Sequence, residues 1–378
     1  MSNSGHGMTE GERSAFLARL KHLFADWKAR PFTPAENLFP SDLLNSLRQI
    51  GALDALLSIE EGGLGLASPS DGGRLLSLLL RRTGYLSLSL GRCLEGHVNV
   101  VRLVALYGTP EQRHALANTL KNGVLAGIWV TDGEPPVTLR KEGETYRLSG
   151  IKGFASGVSE VGLALITATT EQEESVMLLV PTTDPARRRP GPGKLTGMRA
   201  SGTGAYDFTG LRVSARDILG AAGDYLRQPE FSAGAWRGSA VALGAVDRLV
   251  DLLREELLAR KRADNPHQLC RIGEAMILQK TAALWVGQAA QAACDCPDRS
   301  PEEVTATVNL ARLAVERAAL ELITLVQRGL GLSAFVKGRP VEQVMRDLAT
   351  YLRQPAPDEA LIEGAAWFVR HDWRENCL

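Results

Sequence analysis

The sequence carries no excess charge of either sign and has few cysteines. Among its 378 residues, 43 basic side chains balance 43 acidic ones, so no overall field marks it as a nucleic-acid binder. The five cysteines are odd in number and mostly scattered, which fits a reducing compartment rather than a disulfide framework. We expect no nucleic-acid partner, and any charged ligand must be bound by local groups.

Long apolar segments are also missing. The polar stretch from Met1 to Arg19 lacks the apolar centre of a signal peptide, and no apolar run approaches the roughly 18 to 20 residues that span a bilayer. We therefore expect a cytoplasmic protein without a membrane partner. Its hydrophobic content of 44% is sufficient for a large core, and the length suggests two or three domains.

The common catalytic signatures are absent as well. The sequence has no GxSxG elbow, no HExxH, no P-loop and no paired CxxC. Cys294 and Cys296 form a lone CxC without a second ligand pair, which favours a pair at a helix end over a metal site. We expect no metal, and the motifs leave the catalytic residues unknown.

The hydrophobic period changes twice along the chain. Residues 11 to 122 have apolar positions at helical spacing, the period moves toward 2 from Val124, and the helical period returns beyond Gly223. This order predicts an α+β fold with an N-terminal helical domain (1–122), a middle β-domain (123–222) and a C-terminal helical bundle (223–378). The segment 185–194, rich in Pro, Gly and Arg, is predicted to be an exposed loop.

Two helices have clear sequence signals. Thr109 and Pro110 predict a helix start, with the threonine as N-cap and the proline at the first helical position. A long helix from about Glu302 to Val326 places Arg312 and Glu316 at i, i+4, a spacing that suits an ion pair.

Several short motifs occur in a recognisable order. They are Trp129-Val130-Thr131, then Lys152-Gly153-Phe154-Ala155-Ser156, and finally Pro340-Val341-Glu342 followed by Arg346-Asp347. In order and spacing, they resemble the acyl-CoA dehydrogenase family. The resemblance implies that family's fold, a bound FAD between two helical domains, and a homodimer or homotetramer.

The resemblance also implies a cofactor site. Trp129, Val130 and Thr131 match a segment that lies along the flavin, and the threonine hydrogen-bonds the pyrimidine edge. Phe154 would stack behind the isoalloxazine, and Ser156 would donate a hydrogen bond near N5. Gln327 begins a run similar to the family's Gln-x-x-Gly-Gly loop. Without a ligand, Phe154 would simply be a core residue and Ser156 a turn residue.

The sequence departs from the family where a carboxylate is expected. The family's Gly-Ser-Asp part is missing after Thr131, where the chain continues Asp-Gly-Glu-Pro-Pro. The family's glutamate, nine residues after the arginine of the Arg-Asp pair, corresponds to Pro355. The alternative position, within 234–237, has no carboxylate either. Asp358 and Glu359 follow closely. With a rearranged loop they would substitute for the base, but we favour their interpretation as a helix cap and a first-turn residue.

The resemblance implies an FAD-dependent oxidoreductase that oxidises a small-molecule acyl thioester at its α,β bond. Abstraction of the α-proton needs a positioned base, so a flavin-dependent monooxygenase on the same fold is the alternative. A non-catalytic family member is a third hypothesis. The arginine tract 187–189 is either a site for a substrate phosphate or a solvated loop.

Overall fold

The computed structural model describes residues 10–33, 37–68, 73–191, 195–294 and 299–372. Its N-terminal part is helical: α1 (Glu10–Ala29), α2 (Ser41–Gln49), α3 (Gly73–Leu86), α4 (Leu88–Tyr107) and α5 (Pro110–Lys121). The predicted start of α5 is confirmed. Thr109 and Gln112 form a reciprocal capping box, and Pro110 takes the first helical position.

The middle part is made of strands: β1 (Leu125–Trp129), β2 (Thr138–Glu142), β3 (Thr145–Ser149), β4 (Ile151–Ala155), β5 (Val161–Thr170), β6 (Ser175–Pro181), β7 (Arg188–Arg189), β8 (Gly204–Asp207), β9 (Arg212–Val213) and β10 (Ile218–Leu219). The larger sheet has the order β10-β6-β5-β2-β3-β9, and β1 runs parallel to β5. A smaller antiparallel sheet has the order β4-β8-β7.

The C-terminal part is again helical: α6 (Glu230–Ala233), α7 (Ala235–Ala259), α8 (Pro266–Cys294), α9 (Pro301–Leu330), α10 (Pro340–Tyr351) and α11 (Pro357–Arg370). The predicted α+β class, with helices on both sides of a sheet region, is confirmed. The expected boundaries near 122 and 222 fall between α5 and β1 and between β10 and α6. The division into domains stays a prediction.

Helix α9 is long and contains a strongly apolar stretch. Within the described residues, the segment Pro301–Phe335 is long and apolar enough, by length and composition alone, to cross a membrane. Half of its most apolar window (50%) is nevertheless buried inside the protein. A core helix of a bundle has the same properties, and α9 packs against α7, α8 and α11.

The predicted ion pair on α9 is wrong. Arg312 donates to the carbonyl of Pro355 at 2.6 Å, and Glu316 pairs instead with Arg353 at 2.5 Å. Both partners come from the chain after α10, which lies alongside α9. Spacing within a helix permits an i, i+4 contact, but these partners from elsewhere in the fold replace it.

Helix α4 connects the N-terminal helices to the sheet region. The ring of His97 is fully buried, and its Nδ1 accepts a hydrogen bond from the backbone N–H of Ala126 in β1 at 2.9 Å. Gly157 has a φ of +66°, and a Cβ there would lie 3.1 Å from Sγ of Cys93 on α4. Only glycine fits this conformation and this close approach without strain.

Candidate functional site

Phe154 lies in a strained part of β4. The pairing of β4 with β8 shifts register between Lys152 and Ala155, and Phe154 within this irregular stretch has a φ of +48°. A bulky residue rarely adopts this left-handed conformation. Irregular pairing of this kind re-aims side chains, and 48% of Phe154 is exposed. The backbone therefore presents an aromatic ring to solvent instead of burying it.

Hydroxyl groups gather around the end of β4, close to Phe154 in the chain. Ser156 directly follows β4, and the Thr203 hydroxyl donates to its Oγ over a long 3.5 Å. The hydroxyls of Ser201 and Thr203 are 2.8 Å apart. The backbone N–H of Gly157 donates to the carbonyl of Ser201 at 2.8 Å. We call Phe154, Ser156, Ser201 and Thr203 the aromatic shelf: an exposed ring with hydroxyls next to it.

Trp129 is buried beneath the aromatic shelf and is hydrogen-bonded to its backbone. Its side chain is buried at 2% exposure, and its indole N–H donates to the carbonyl of Ser156 at 3.1 Å. The ring also packs against Tyr206 of β8, with centroids 5.7 Å apart. This side chain positions the segment after β4.

Lys152 is a buried cation within β4. Its Nζ donates to the Asp132 carboxylate at 2.6 Å and to the carbonyl of Val130 and the hydroxyl of Thr167, each at 3.1 Å. Burial lowers the pKa of Lys152, while the hydrogen bond and charge of Asp132 act to raise it. These contacts hold the segment 130–132 beside β4.

Helix α10 is attached directly to the chain that leads to the shelf. The backbone N–H of Met198 donates to Asp347 at 2.7 Å, and that of Gly197 donates to the Thr350 hydroxyl at 3.1 Å. Burial raises the pKa of Asp347, although the bond from Met198 acts to lower it. Tyr351 follows Thr350 and is the last residue of α10. The contacts of Asp347 and Thr350 therefore also fix the position of Tyr351.

A small cavity lies between α4, α7, α9 and the end of α10, with a volume of about 70 Å³. Its polar lining residues are Glu95, Ser239, Arg312, Glu316, Tyr351 and Gln354. Two helices that line the cavity also contact the chain next to the aromatic shelf, α4 at Gly157 and α10 at Met198. We call this space the polar cavity.

A hydrogen-bonded chain of charged groups borders the polar cavity. Both carboxylate oxygens of Glu95 are occupied: one accepts from Arg92 and the other from Asn99 at 2.9 Å. Asn99 in turn accepts from Arg237 of α7 at 2.7 Å. Glu95 raises the pKa of Arg92 despite the burial that lowers it. Helices α4 and α7 are thus joined by charged and polar side chains as well as by apolar packing.

Comparisons with known proteins give related enzymes at low identity. No protein-family model matches the chain. The isobutyryl-CoA dehydrogenase of Dictyostelium discoideum is 23% identical over 281 residues, which is 70% of this chain and 66% of that protein. The NADH-dependent acryloyl-CoA reductase of Anaerotignum propionicum is 25% identical over 266 residues, covering 64% of this chain and 66% of that protein. The chain thus spans just under two thirds of these relatives.

Solved structures show the same fold over nearly the whole chain. The dibenzothiophene monooxygenase TdsC of Paenibacillus sp. A11-2 aligns with a TM-score of 0.80 and 20% identity, covering 95% of this chain and 97% of that one. Butyryl-CoA dehydrogenase of Megasphaera elsdenii aligns with a TM-score of 0.79 and 17% identity, covering 94% and 98%. The chain is acyl-CoA dehydrogenase-like.

The structure of this acyl-CoA dehydrogenase-like protein brings most of the predicted cofactor residues together. Phe154 and Ser156 lie on the shelf, and Trp129 is bonded to Ser156 from below. Val130 is half-buried and Thr131 exposed on the segment that Lys152 holds beside β4. The expectation that Phe154 is a core residue does not fit its exposure. Flavin contact by these residues stays a prediction.

Gln327 lies apart from the polar cavity. It is half-buried in the last turn of α9, where its carbonyl accepts the backbone N–H of Gly331. Glu316, which lines the cavity, is eleven residues earlier on the same helix, or about 16 Å along its axis. Gln327 therefore contributes nothing to the polar cavity of its own chain, and its role toward the cofactor stays a prediction.

The positions where the acyl-CoA dehydrogenase family has its glutamate remain without a free carboxylate. Pro355 accepts the bond from Arg312, and the nearby Glu230 binds Arg102 through both oxygens, at 2.8 Å and 3.0 Å. Asp358 and Glu359 are exposed in the first turn of α11. Ala356 is the N-cap of this helix, so the interpretation of Asp358 as the cap is wrong.

The arginine tract stabilises the smaller sheet. Arg188 and Arg189 form β7 and pair with Tyr206 and Ala205 of β8, which corrects the predicted loop. Arg187 donates to the carbonyls of Asp207 and Thr209, each at 3.0 Å. The described residues contain no cluster of three side chains suited to a metal. Lys194, in the predicted loop, and Cys296, of the CxC pair, lie outside them.

Sequence reasoning missed the polar cavity entirely. Glu95, Arg312 and Tyr351 come from three different helices, and no motif links them. The available signal was Glu95, a charged residue inside an α4 that is otherwise rich in buried apolar side chains. A buried charge of this kind needs a partner or a function, but the sequence does not reveal which helix faces it.

Proposed function

We propose that this protein is a flavin-dependent oxidoreductase that binds its cofactor against the aromatic shelf. The observation that carries the proposal is Phe154, an aromatic residue held at a φ of +48° with its ring exposed. Strain of this kind persists where the surrounding structure enforces it, and it concentrates at functional sites. An exposed flat ring suits the face of another flat ring system.

The chemistry of the neighbouring groups fits a flavin. Ser156 follows the ring at the end of β4, and its hydroxyl is able to donate as well as accept. Thr131 is exposed on the adjacent segment and offers a second hydroxyl. A bound flavin would supply two-electron exchange with a substrate or with oxygen. The protein's own residues would bind its face, orient its edge and exclude water.

Within this proposal we put a flavin-dependent monooxygenase first, because the described carboxylates around the polar cavity offer no free base. Desaturation of a thioester needs a base for the α-proton, and the carboxylates around the polar cavity are already engaged. Glu95 accepts from Arg92 and Asn99, and Glu316 is paired with Arg353. The solved monooxygenase TdsC, with the same fold, has been crystallised with FMN and indole, which supports the proposal.

Dehydrogenation of an acyl thioester is the second candidate, because the curated relatives include acyl-CoA dehydrogenases. One experiment separates the two reactions. The purified flavoprotein is reduced and then exposed to oxygen, or it is mixed anaerobically with acyl-CoA substrates. Rapid reoxidation of the flavin together with oxygenation of an added substrate supports the monooxygenase. Bleaching of the flavin absorbance by an acyl-CoA supports the dehydrogenase. A colourless protein that does not take up added flavin would contradict both.

Cofactor identity and assembly are part of the same proposal. We propose FAD, with FMN as the alternative that TdsC suggests, and chromatography of the flavin released on denaturation tells them apart. We also propose a cytoplasmic homodimer or homotetramer. Light scattering and cell fractionation test these two points.

A further inference from the structure

Two side chains that line the polar cavity, Tyr351 and Arg312, each carry a buried hydrogen-bond donor without an acceptor among the described residues. The side chain of Tyr351 is 6% exposed, and its hydroxyl has no partner among the described residues. Nε of Arg312 is also buried without a partner among the described residues. The Nη2 of the same side chain does have a partner, the carbonyl of Pro355. A buried donor without an acceptor costs about 1 to 3 kcal/mol, so both groups call for a ligand.

The position of the Tyr351 hydroxyl is defined by a glycine. A Cβ added to Gly238 of α7 would lie 3.3 Å from this oxygen. A methyl group at position 238 would therefore press directly against the hydroxyl. Burial strongly raises the pKa of Tyr351, and Glu95 adds to the increase. The phenol is thus neutral and has a proton to donate.

The lining of the polar cavity holds Glu95 and Glu316 against Arg312, but arginines outnumber carboxylates in its wider surroundings among the described residues. At the α4–α7 contact, the guanidinium groups of Arg92, Arg102 and Arg237 meet the carboxylates of Glu95 and Glu230. Burial and the neighbouring Arg102 lower the pKa of Arg237. Arg312 adds another cation, and Glu316 is already paired with Arg353. Such surroundings favour an anion over a cation.

We infer that the polar cavity binds an oxygen acceptor of the substrate, a carboxylate or a carbonyl, through the Tyr351 hydroxyl and Nε of Arg312. The inference deepens the proposed function, because it names the substrate class of the same site. A volume of about 70 Å³ accommodates several waters or one small organic group. An extended alkyl chain is a poor fit, since it would leave both donors without an acceptor.

The test uses the full chain with three small probes: propionate, propionamide and, at matched ionic strength, chloride. Saturable thermal stabilisation should appear with propionate and more weakly with propionamide, and chloride should have no such effect. Tyr351→Phe should weaken propionate binding about tenfold, the loss expected for one hydrogen bond to a charged group. Stronger binding of propionamide would identify a neutral carbonyl as the natural acceptor.

Two further variants act as controls. Tyr85→Phe removes another buried tyrosine hydroxyl, bound to Asp251 on the α3–α7 side, and should leave propionate binding unchanged. Gly238→Ala places a methyl next to the Tyr351 hydroxyl and should abolish propionate binding. Because alanine is a better helix former than glycine, the substitution should not weaken α7 itself. Equal propionate binding by Tyr351→Phe and the parent overturns the inference, as does a parent that responds to propionate no more than to chloride.

The inference and the proposed function can fail separately. Binding of flavin is read from visible absorbance, whereas binding of the probes is read from thermal stabilisation. If the protein binds propionate through Tyr351 but takes up no flavin, the cavity assignment stands and the proposed oxidoreductase function is wrong. If the protein binds flavin but Tyr351→Phe leaves propionate binding unchanged, only the cavity assignment is wrong.

Discussion

The indole of Trp129 and the carbonyl of Ser156 are joined by a hydrogen bond of 3.1 Å. It connects the end of β1 to the residue directly after β4. Because Phe154 lies two positions earlier, the bond fixes the backbone that exposes the aromatic ring. Flavin binding at the shelf should therefore depend on a side chain that is itself buried.

Trp129→Phe tests this dependence. Phenylalanine keeps an aromatic ring but cannot donate, so a partly buried carbonyl loses its partner at a cost of about 1 to 3 kcal/mol. We expect a lower free energy of unfolding and weaker flavin binding, measured by urea denaturation and by flavin titration. Trp285→Phe, at a half-buried indole of α8, is the control. Unchanged flavin affinity in Trp129→Phe would contradict the supporting role.

Phe154→Gly and Phe154→Ala separate strain from stacking. Both remove the ring and should weaken flavin binding, but only glycine relieves the φ of +48°. We expect Phe154→Gly to be more stable than Phe154→Ala by about 1 kcal/mol, measured by denaturation without flavin. Because the ring is half exposed, either variant should lose less stability than truncation of a buried phenylalanine. An alanine variant more stable than the glycine variant would rule out strain.

Ser156→Ala should affect the cofactor more than the fold. Among the described residues, the side chain is bound only by a long contact from Thr203, so folding should change little. A lost hydrogen bond to the flavin should weaken its binding by about 0.5 to 1.5 kcal/mol or change its reduction potential, as spectroelectrochemistry would show. Ser46→Ala, at an exposed hydroxyl of α2, serves as control. A flavin spectrum, affinity and potential equal to the parent's would remove Ser156 from the site.

His97 should make the fold sensitive to acid. Burial lowers its pKa from the ordinary 6.5 to about 4, so between these values the unfolded chain binds a proton that the folded chain does not. The free energy of unfolding should therefore fall as the pH drops through this window, by about 3 kcal/mol in all. Above pH 6.5 this contribution is fully present.

His97→Asn provides the comparison for this pH dependence. Asparagine does not titrate, and its oxygen is an acceptor for the backbone N–H of Ala126. Denaturant unfolding between pH 4 and 7 should show a shallower loss of stability in the variant, whatever its absolute stability. Parallel pH profiles for the two proteins would assign the acid sensitivity to other groups.

Much of the architecture could be predicted from local patterns. The change from helical period to alternation and back located the sheet region, since these periods follow from backbone geometry alone. The start of α5 was predicted from Thr109 and Pro110, because a cap and its helix are adjacent in sequence. The i, i+4 pair of Arg312 and Glu316 failed, because partners after α10 compete for both side chains.

The sequence by itself determined the fold class, the order of its parts and the stretches that hold Phe154 and Ser156. Only the tertiary structure decided that Phe154 is exposed, because the irregular pairing of β4 with β8 turns its side chain outward. The polar cavity likewise exists only where α4, α7, α9 and α10 meet. Which donors remain without acceptors depends on contacts between distant residues, and local sequence patterns do not encode these contacts.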